Sequence, residues 1–443
     1  MRYQYVLLPA LASLAFADDT ISVSDHPAPT PDALPLEDLR DIPVPTFTVA
    51  TGVTAQDIPY ATASAIADVS SQVVATPLTV FPAATDVPIN DAGTDSDADG
   101  NPNVISSSNP KLKRDPQGVA RQPRKRAACQ SQPTIPNFYN VALDSAAAFR
   151  ADATISSVAV AAKATPVGYF QNFNNLKGAN SAMNYLGYSV VNAGKTGYDV
   201  DWCAAKCSAK SGCLAFNIFF ERDPTVEPGA DCPDPPAFAN IKCSFWGSAL
   251  DDKTAKNTGQ WRAKFEVAIA GSNAYTSYKL GGPVAGWLGP QALGTTAMNA
   301  PLWDCTNTWS YLGYKLLQAG SVDPRLCATA CDTQSEINSE YPARDADGNA
   351  KPAVTCNAFG SYILTKTNAT GSYQHGQMCT FYTAYWDKQF AVNAGGFDGA
   401  ADTKYTFSYS TFYGKQGKQP ACGGEFVGPS GTYIQGGHNP SEA

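Results

Sequence analysis

The residues able to do chemistry are spread unevenly along this 443-residue chain, and cysteine is foremost among them. All twelve cysteines lie from Cys129 onward, against only three histidines, His26, His375 and His438. An even cysteine count without any Cys-x-x-Cys pair favours oxidised pairing over metal ligation, since zinc sites draw on closely spaced cysteines or on histidines. Hydrolase machinery is equally thin. Serine and cysteine nucleophiles generally need a histidine base, and His375 lies in a Gly/Ser/Tyr stretch read as an exposed loop, His438 in the terminal tail. Beyond residue 126 there is no Gly-x-Ser-x-Gly elbow, His-Glu-x-x-His helix, P-loop or dinucleotide fingerprint, and nothing calls for a cofactor. A carboxylate pair for glycoside hydrolysis has no linear signature and stays open. Asp251-Asp252 reads as a loop and Asp345-Ala346-Asp347-Gly348-Asn349 as a turn. Asp95 to Gly100 imitates a calcium loop, but Ser106 stands where a bidentate Glu belongs. Aromatics are the richer signal. Trp202 precedes a helix cysteine and Trp246 follows a cysteine strand, so both read as core, whereas Trp287, Trp303 and Trp309 fall in an irregular stretch and are the candidate ligand contacts. Asn368-Ala369-Thr370 is a glycosylation sequon, expected in a surface loop.

The elements that position these residues fall into a leader and two copies of one unit. Arg2, the apolar run Tyr5 to Phe16 and Ala15-Phe16-Ala17 read as an export signal over residues 1–17, cut after Ala17. No later stretch approaches the roughly 20 apolar residues of a membrane span, so a secreted protein without membrane insertion is expected. From Asp18 to Pro110, fourteen acidic residues face the single base Arg40, and cysteine and tryptophan are missing. That composition predicts disorder. Residues 18–126 thus read as an acidic pro-segment ending in Lys111-Leu112-Lys113-Arg114 and Arg124-Lys125-Arg126, with cleavage after Arg126 by a secretory processing protease of the kexin or furin type. Residues 127–443 carry 22 Lys plus Arg and 24 Asp plus Glu, a near-neutral balance with no electrostatic footprint for nucleic acid.

An internal repeat fills most of this remainder. Tyr185-Leu186-Gly187-Tyr188 recurs as Tyr311-Leu312-Gly313-Tyr314; Cys203 and Cys207 recur as Cys327 and Cys331; Cys213-Leu214-Ala215-Phe216 recurs as Cys356-Asn357-Ala358-Phe359; Cys243-Ser244-Phe245 recurs as Cys379-Thr380-Phe381. Cysteines four apart share one helix face, and Asp199 and Asp323 stand where a helix cap belongs, with Pro324 at the first helical position. Gly212 suits a left-handed stop before Cys213. Strands are expected at residues 213–220, 242–246 and 260–269 in the first copy and 356–364, 379–385 and 405–413 in the second, with Asp223-Pro224 in a surface loop.

A helix bearing Cys-x3-Cys, then Cys-x-Ala-Phe entering a strand, then Cys-x-Phe in the next, resembles the PAN or apple domain. The likeness spans roughly residues 165 to 430; WSC-type sugar modules rank second because they use more cysteines per copy. The resemblance implies an α+β fold of two disulfide-stapled modules, residues 127–278 and 279–443, each a helix cradled by an antiparallel sheet, following the disordered pro-segment. It also implies bridges Cys203–Cys243, Cys207–Cys213, Cys327–Cys379, Cys331–Cys356 and Cys305–Cys422, which leaves Cys129 with Cys232. The function it implies is non-catalytic binding or adhesion toward an extracellular polysaccharide or protein. A hydrolase activated by loss of the pro-segment, or a passive cell-wall component, are the alternatives.

Overall fold

The computed structural model describes residues 34–78, 128–133, 138–162, 165–191, 197–301, 309–345, 347–418, 420–421, 426–427 and 433–434. The chain is α+β, with mostly antiparallel sheets and few helices. Its elements run α1 (Leu36–Arg40), β1 (Ala55–Asp57), α2 (Thr62–Ala75), α3 (Ala146–Arg150), α4 (Ala153–Ala161), β2 (Tyr169–Leu176), β3 (Tyr185–Val190), α5 (Val200–Ala209), β4 (Ala215–Pro224) and β5 (Ala237–Trp246). A short hairpin, β6 (Trp261–Arg262) and β7 (Phe265–Glu266), precedes β8 (Ala268–Ser277). Then come β9 (Trp287–Gly294), β10 (Tyr311–Leu317), α6 (Pro324–Glu340), β11 (Ala358–Asn368), β12 (Gly371–Tyr382), β13 (Gly396–Asp398) and β14 (Thr403–Lys415).

Two sheets carry the fold, and their strand orders correspond. The first runs β1-β3-β5-β4-β8-β2; the second runs β10-β12-β11-β14-β13, with β9 also pairing β14. Thus β3, β5, β4, β8 and β2 occupy the places of β10, β12, β11, β14 and β9. The repeated Tyr-Leu-Gly-Tyr has a structural meaning here. Gly187 and Gly313 take φ of +100° and +103°, each where the strand register shifts against its neighbour. Only glycine adopts that backbone freely, so the motif writes the same bulge into both sheets.

Each sheet holds one cysteine-bearing helix against one face. Asp199 accepts from the Trp202 amide and Asp323 from the Arg325 amide, capping α5 and α6 at the expected residues. Below α5, Cys203, Cys207 and Ala204 pack on Phe216, Ile218 and Phe220, with Phe149 and Ile155 of α3 and α4 alongside. Below α6, Leu326, Cys327 and Cys331 pack on Phe359 and Phe381. Five bridges form among the described residues: Cys203–Cys243, Cys207–Cys213, Cys327–Cys379 and Cys331–Cys356 tie these helices to their sheets, and Cys129–Cys232 fastens the 128–133 stretch to the connection between β4 and β5. Cys305 and Cys422 lie outside the described residues.

Several expectations are corrected. Residues 34–78, expected to be disordered, are folded: β1 extends the first sheet at the edge of β3, α2 packs along α6, and Leu34, Leu39 and Ile42 enter the core of the second sheet. Composition missed this because the segment has no core of its own; its apolar residues find theirs on the two sheets. Asp223-Pro224 closes strand β4 instead of opening a loop, and the strand expected at 260–269 is the β6–β7 hairpin followed by β8. Strand β12 begins at Gly371, so the Gly/Ser/Tyr stretch around His375 is sheet paired with β11, buried from Gln374 onward, and β10 joins on the other side from Gln377.

Candidate functional site

The two halves meet along a polar seam that fixes their relative placement. The Val322 amide donates to the Gly247 carbonyl at 2.7 Å, and Gln374 both accepts from the Met183 amide at 2.9 Å and donates to the Ala249 carbonyl at 2.7 Å. Ser321 lies between Asn184, which donates to it at 2.8 Å, and the Gly212 carbonyl, to which it donates at 2.6 Å. Met183, Ala249, Val322 and Ile363 fill the seam with apolar contact.

Beside this seam opens a cleft of about 590 Å³, walled by the ends of α5 and β8, the start of α6, and Tyr60 and Thr62 of the N-terminal segment. It is a size suited to a small ligand. Three cations reach it, Lys210, Lys279 and Arg325. Lys210 pairs with Asp57 and Arg325 with the capping Asp323, whereas Lys279 is exposed at the mouth. Next to Lys279 the Tyr278 ring is 68% exposed and packs on Phe170 at 5.3 Å. The Tyr60 ring lies over Gly212 and Gly320, where a Cβ would fall 2.2 Å and 3.1 Å from ring carbons. Burial raises the Tyr60 hydroxyl above the usual phenol range. The cleft therefore offers aromatic faces, hydroxyls and ammonium or guanidinium donors, a set able to hold a hydroxyl-rich or anionic molecule by stacking and hydrogen bonds.

The carboxylate question left open by sequence has a definite geometry. Glu221 and Asp223, alternate residues of β4, share one sheet face with Lys242 of β5, whose ammonium contacts Glu221 and lies 3.0 Å from Asp223. Asn240 donates to Asp223 at 2.6 Å. Burial and then the charge of Asp223 push the Glu221 carboxyl up; burial also opposes ionisation of Asp223, but Lys242 holds that carboxyl below its usual range. The segment covers this cluster, with the Tyr188 hydroxyl donating to the carbonyls of Ala50 at 3.1 Å and Val53 at 2.7 Å. The second sheet carries Leu364 and Met378 at the repeat-equivalent places of Glu221 and Lys242, under Leu39 and Ile42. At these equivalent places the cover is polar on the first sheet and apolar on the second, although Phe47 and Ile58 also pack on Tyr185 and Trp246 of the first.

The sequence-nominated aromatics separate. Trp287 is buried, edge-on to Phe359 at 4.7 Å, because β9 pairs with β14 and turns that ring into the core. Trp309 is half-buried with its Nε1 donating to the Tyr311 carbonyl. Trp303, Ala17 and Arg126 lie outside the described residues. Trp261, on the β6–β7 hairpin, is 67% exposed; the polar Gly259-Gln260 before it and Arg262 after it were the signal for that. His375 is fully buried under α1, its ring 6.1 Å from Tyr405, and both ring nitrogens lack hydrogen bonds. Burial, then Lys366, press its pKa down to about 4. Asn368 ends β11 at a hairpin whose Ala369 and Thr370 are exposed. Among the described residues no group of three or more His, Cys, Asp or Glu is gathered, and no helix is long and apolar enough to cross a membrane. Compared with family models, curated proteins and solved structures, the chain matches none.

Proposed function

We propose that this chain is a secreted, apple-like binding protein that takes an extracellular saccharide in the cleft between its two sheets. The observation carrying this reading is the juxtaposition of the exposed Tyr278 face with Lys279, Arg325 and Ser321 at one 590 Å³ opening. A flat aromatic face covers a sugar ring, and charged donors bond its hydroxyl or carboxylate oxygens. Disulfides suit an oxidising, extracellular setting. Binding is favoured over hydrolysis because the carboxylates nearest to an acid–base pair, Glu221 and Asp223, are covered and joined to Lys242.

The test is depletion of the full chain from solution by insoluble chitin, β-glucan and cellulose, with Tyr278→Ala, Lys279→Ala and Trp261→Ala compared. The reading expects saturable binding to at least one polymer, weakened about tenfold by either cleft variant, roughly 1.4 kcal/mol. Binding lost only in Trp261→Ala moves the site to the hairpin, and no binding to any polymer removes the saccharide reading.

A further inference from the structure

Residues 34–78 hold to the body without any covalent link of their own, since every cysteine lies at or beyond position 129. We propose that the two sheets and α6 form a docking surface built for this segment, so that a chain cut after Arg126 remains a two-chain, non-covalent complex instead of shedding its N-terminal piece.

Three independent features of the body point to this. First, its face is apolar where the segment is apolar: Leu34, Leu39 and Ile42 close a cluster with Tyr314, Leu364 and Phe407, and Val69 and Val73 of α2 join Leu326 and Leu317. Exposing such a contiguous patch to water is unfavourable and uncommon in soluble proteins. Second, buried polar side chains of the body find their partners on the segment. Gln334 accepts from the Leu78 amide at 2.7 Å, Lys315 donates to the Thr76 carbonyl at 2.5 Å, and Gln318 donates to the Pro43 carbonyl at 2.7 Å. All three are at most 7% exposed with the segment in place; Gln318 also donates to the His375 carbonyl at 3.0 Å and Gln334 to Asn338 at 2.8 Å, so it is above all the Lys315 ammonium whose protein hydrogen bond the segment supplies. At the margin Arg40 grips Asp398 with two bonds of 2.8 Å and 3.0 Å, and Asp38 accepts from the Tyr314 hydroxyl at 2.7 Å.

Third, the body leaves room for the segment's backbone and side chains. A Cβ on Gly187 would sit 1.9 Å from the Gln56 carbonyl oxygen, and one on Gly396 would sit 3.2 Å from Leu36. The consequence for the cleft is direct. Its Tyr60 wall belongs to the segment, so the wall persists after cleavage at Arg126.

The experiment places a site-specific protease sequence directly after Arg126 in the full chain, cuts it, and follows both pieces by gel filtration at micromolar concentration and after hundredfold dilution. Co-elution in equal amounts, with separation only in denaturant, is the expected result. Elution of the N-terminal piece by itself in native buffer overturns the proposal, whether or not the saccharide is still bound. In the cut protein Leu39→Asp should lower retention at least tenfold; should that variant fail to fold, Arg40→Ala gives a smaller loss by the same readout. Retention unchanged by Arg40→Ala and Leu39→Asp alike would contradict the assigned surface.

Discussion

His375 and Gly187 govern how the sheets hold what lies upon them. A histidine buried without hydrogen-bond partners is stable only when neutral, and its pKa of about 4 lies below the ordinary value of 6.5. The unfolded chain therefore binds the extra proton first. Its contribution is complete above pH 6.5 and is lost as pH falls toward 4, on the order of 3 kcal/mol in all. Melting curves between pH 4 and 7 should show that loss, and His375→Leu should flatten it. Gly187→Ala places a Cβ against the Gln56 carbonyl at a φ of +100°, and should cost about 1–2 kcal/mol and free β1, read as faster amide exchange at residues 55–57. Trp287→Ala is expected to destabilise by about 3–5 kcal/mol in chemical unfolding while the folded variant keeps the saccharide affinity proposed for the cleft, because that ring packs in the core. Trp246 is buried as its context suggested, but on the sheet face opposite Cys243, where Phe47 of the N-terminal segment packs on it; Trp287 could not be placed from context, because its strand exists only by pairing with the distant β14.

At the level of elements, the helix caps, the two Cys-x3-Cys helices and the core of each hairpin were legible because they depend on local spacing. Strand ends were not. β12 reaches back to Gly371 because a tight turn after Asn368 lets it pair with β11 from its first residue, and turn closure is a property of both strands. The bridges fasten each helix to its sheet, Cys203 and Cys327 to the second hairpin strand and Cys207 and Cys331 to the entry of the first. Replacing the Cys331–Cys356 pair by alanines should cost about 2–4 kcal/mol and loosen α6, with α2 following because it packs along that helix. Chemical unfolding followed by circular dichroism measures it.

For the whole molecule, the sheets alone do not complete the fold. Each has a helical face and an opposite face, and the acidic N-terminal segment crosses from the second sheet to the first and back to α6, covering both. Its poverty in cysteine and tryptophan hid this role, because a strand and helices that bury themselves on another part of the chain need no core of their own. The seam between the sheets and the segment's Tyr60 together make the candidate cleft, so the proposed binding site depends on all three parts. Hydrogen–deuterium exchange of the intact chain tests this arrangement most directly. Amides of α2 and of residues 55–57 are expected to exchange far more slowly than those of a free peptide, with Val69 and Val73 among the better protected. Exchange of the entire 34–78 stretch at the rate of an unstructured chain, beside a protected β4, would contradict it.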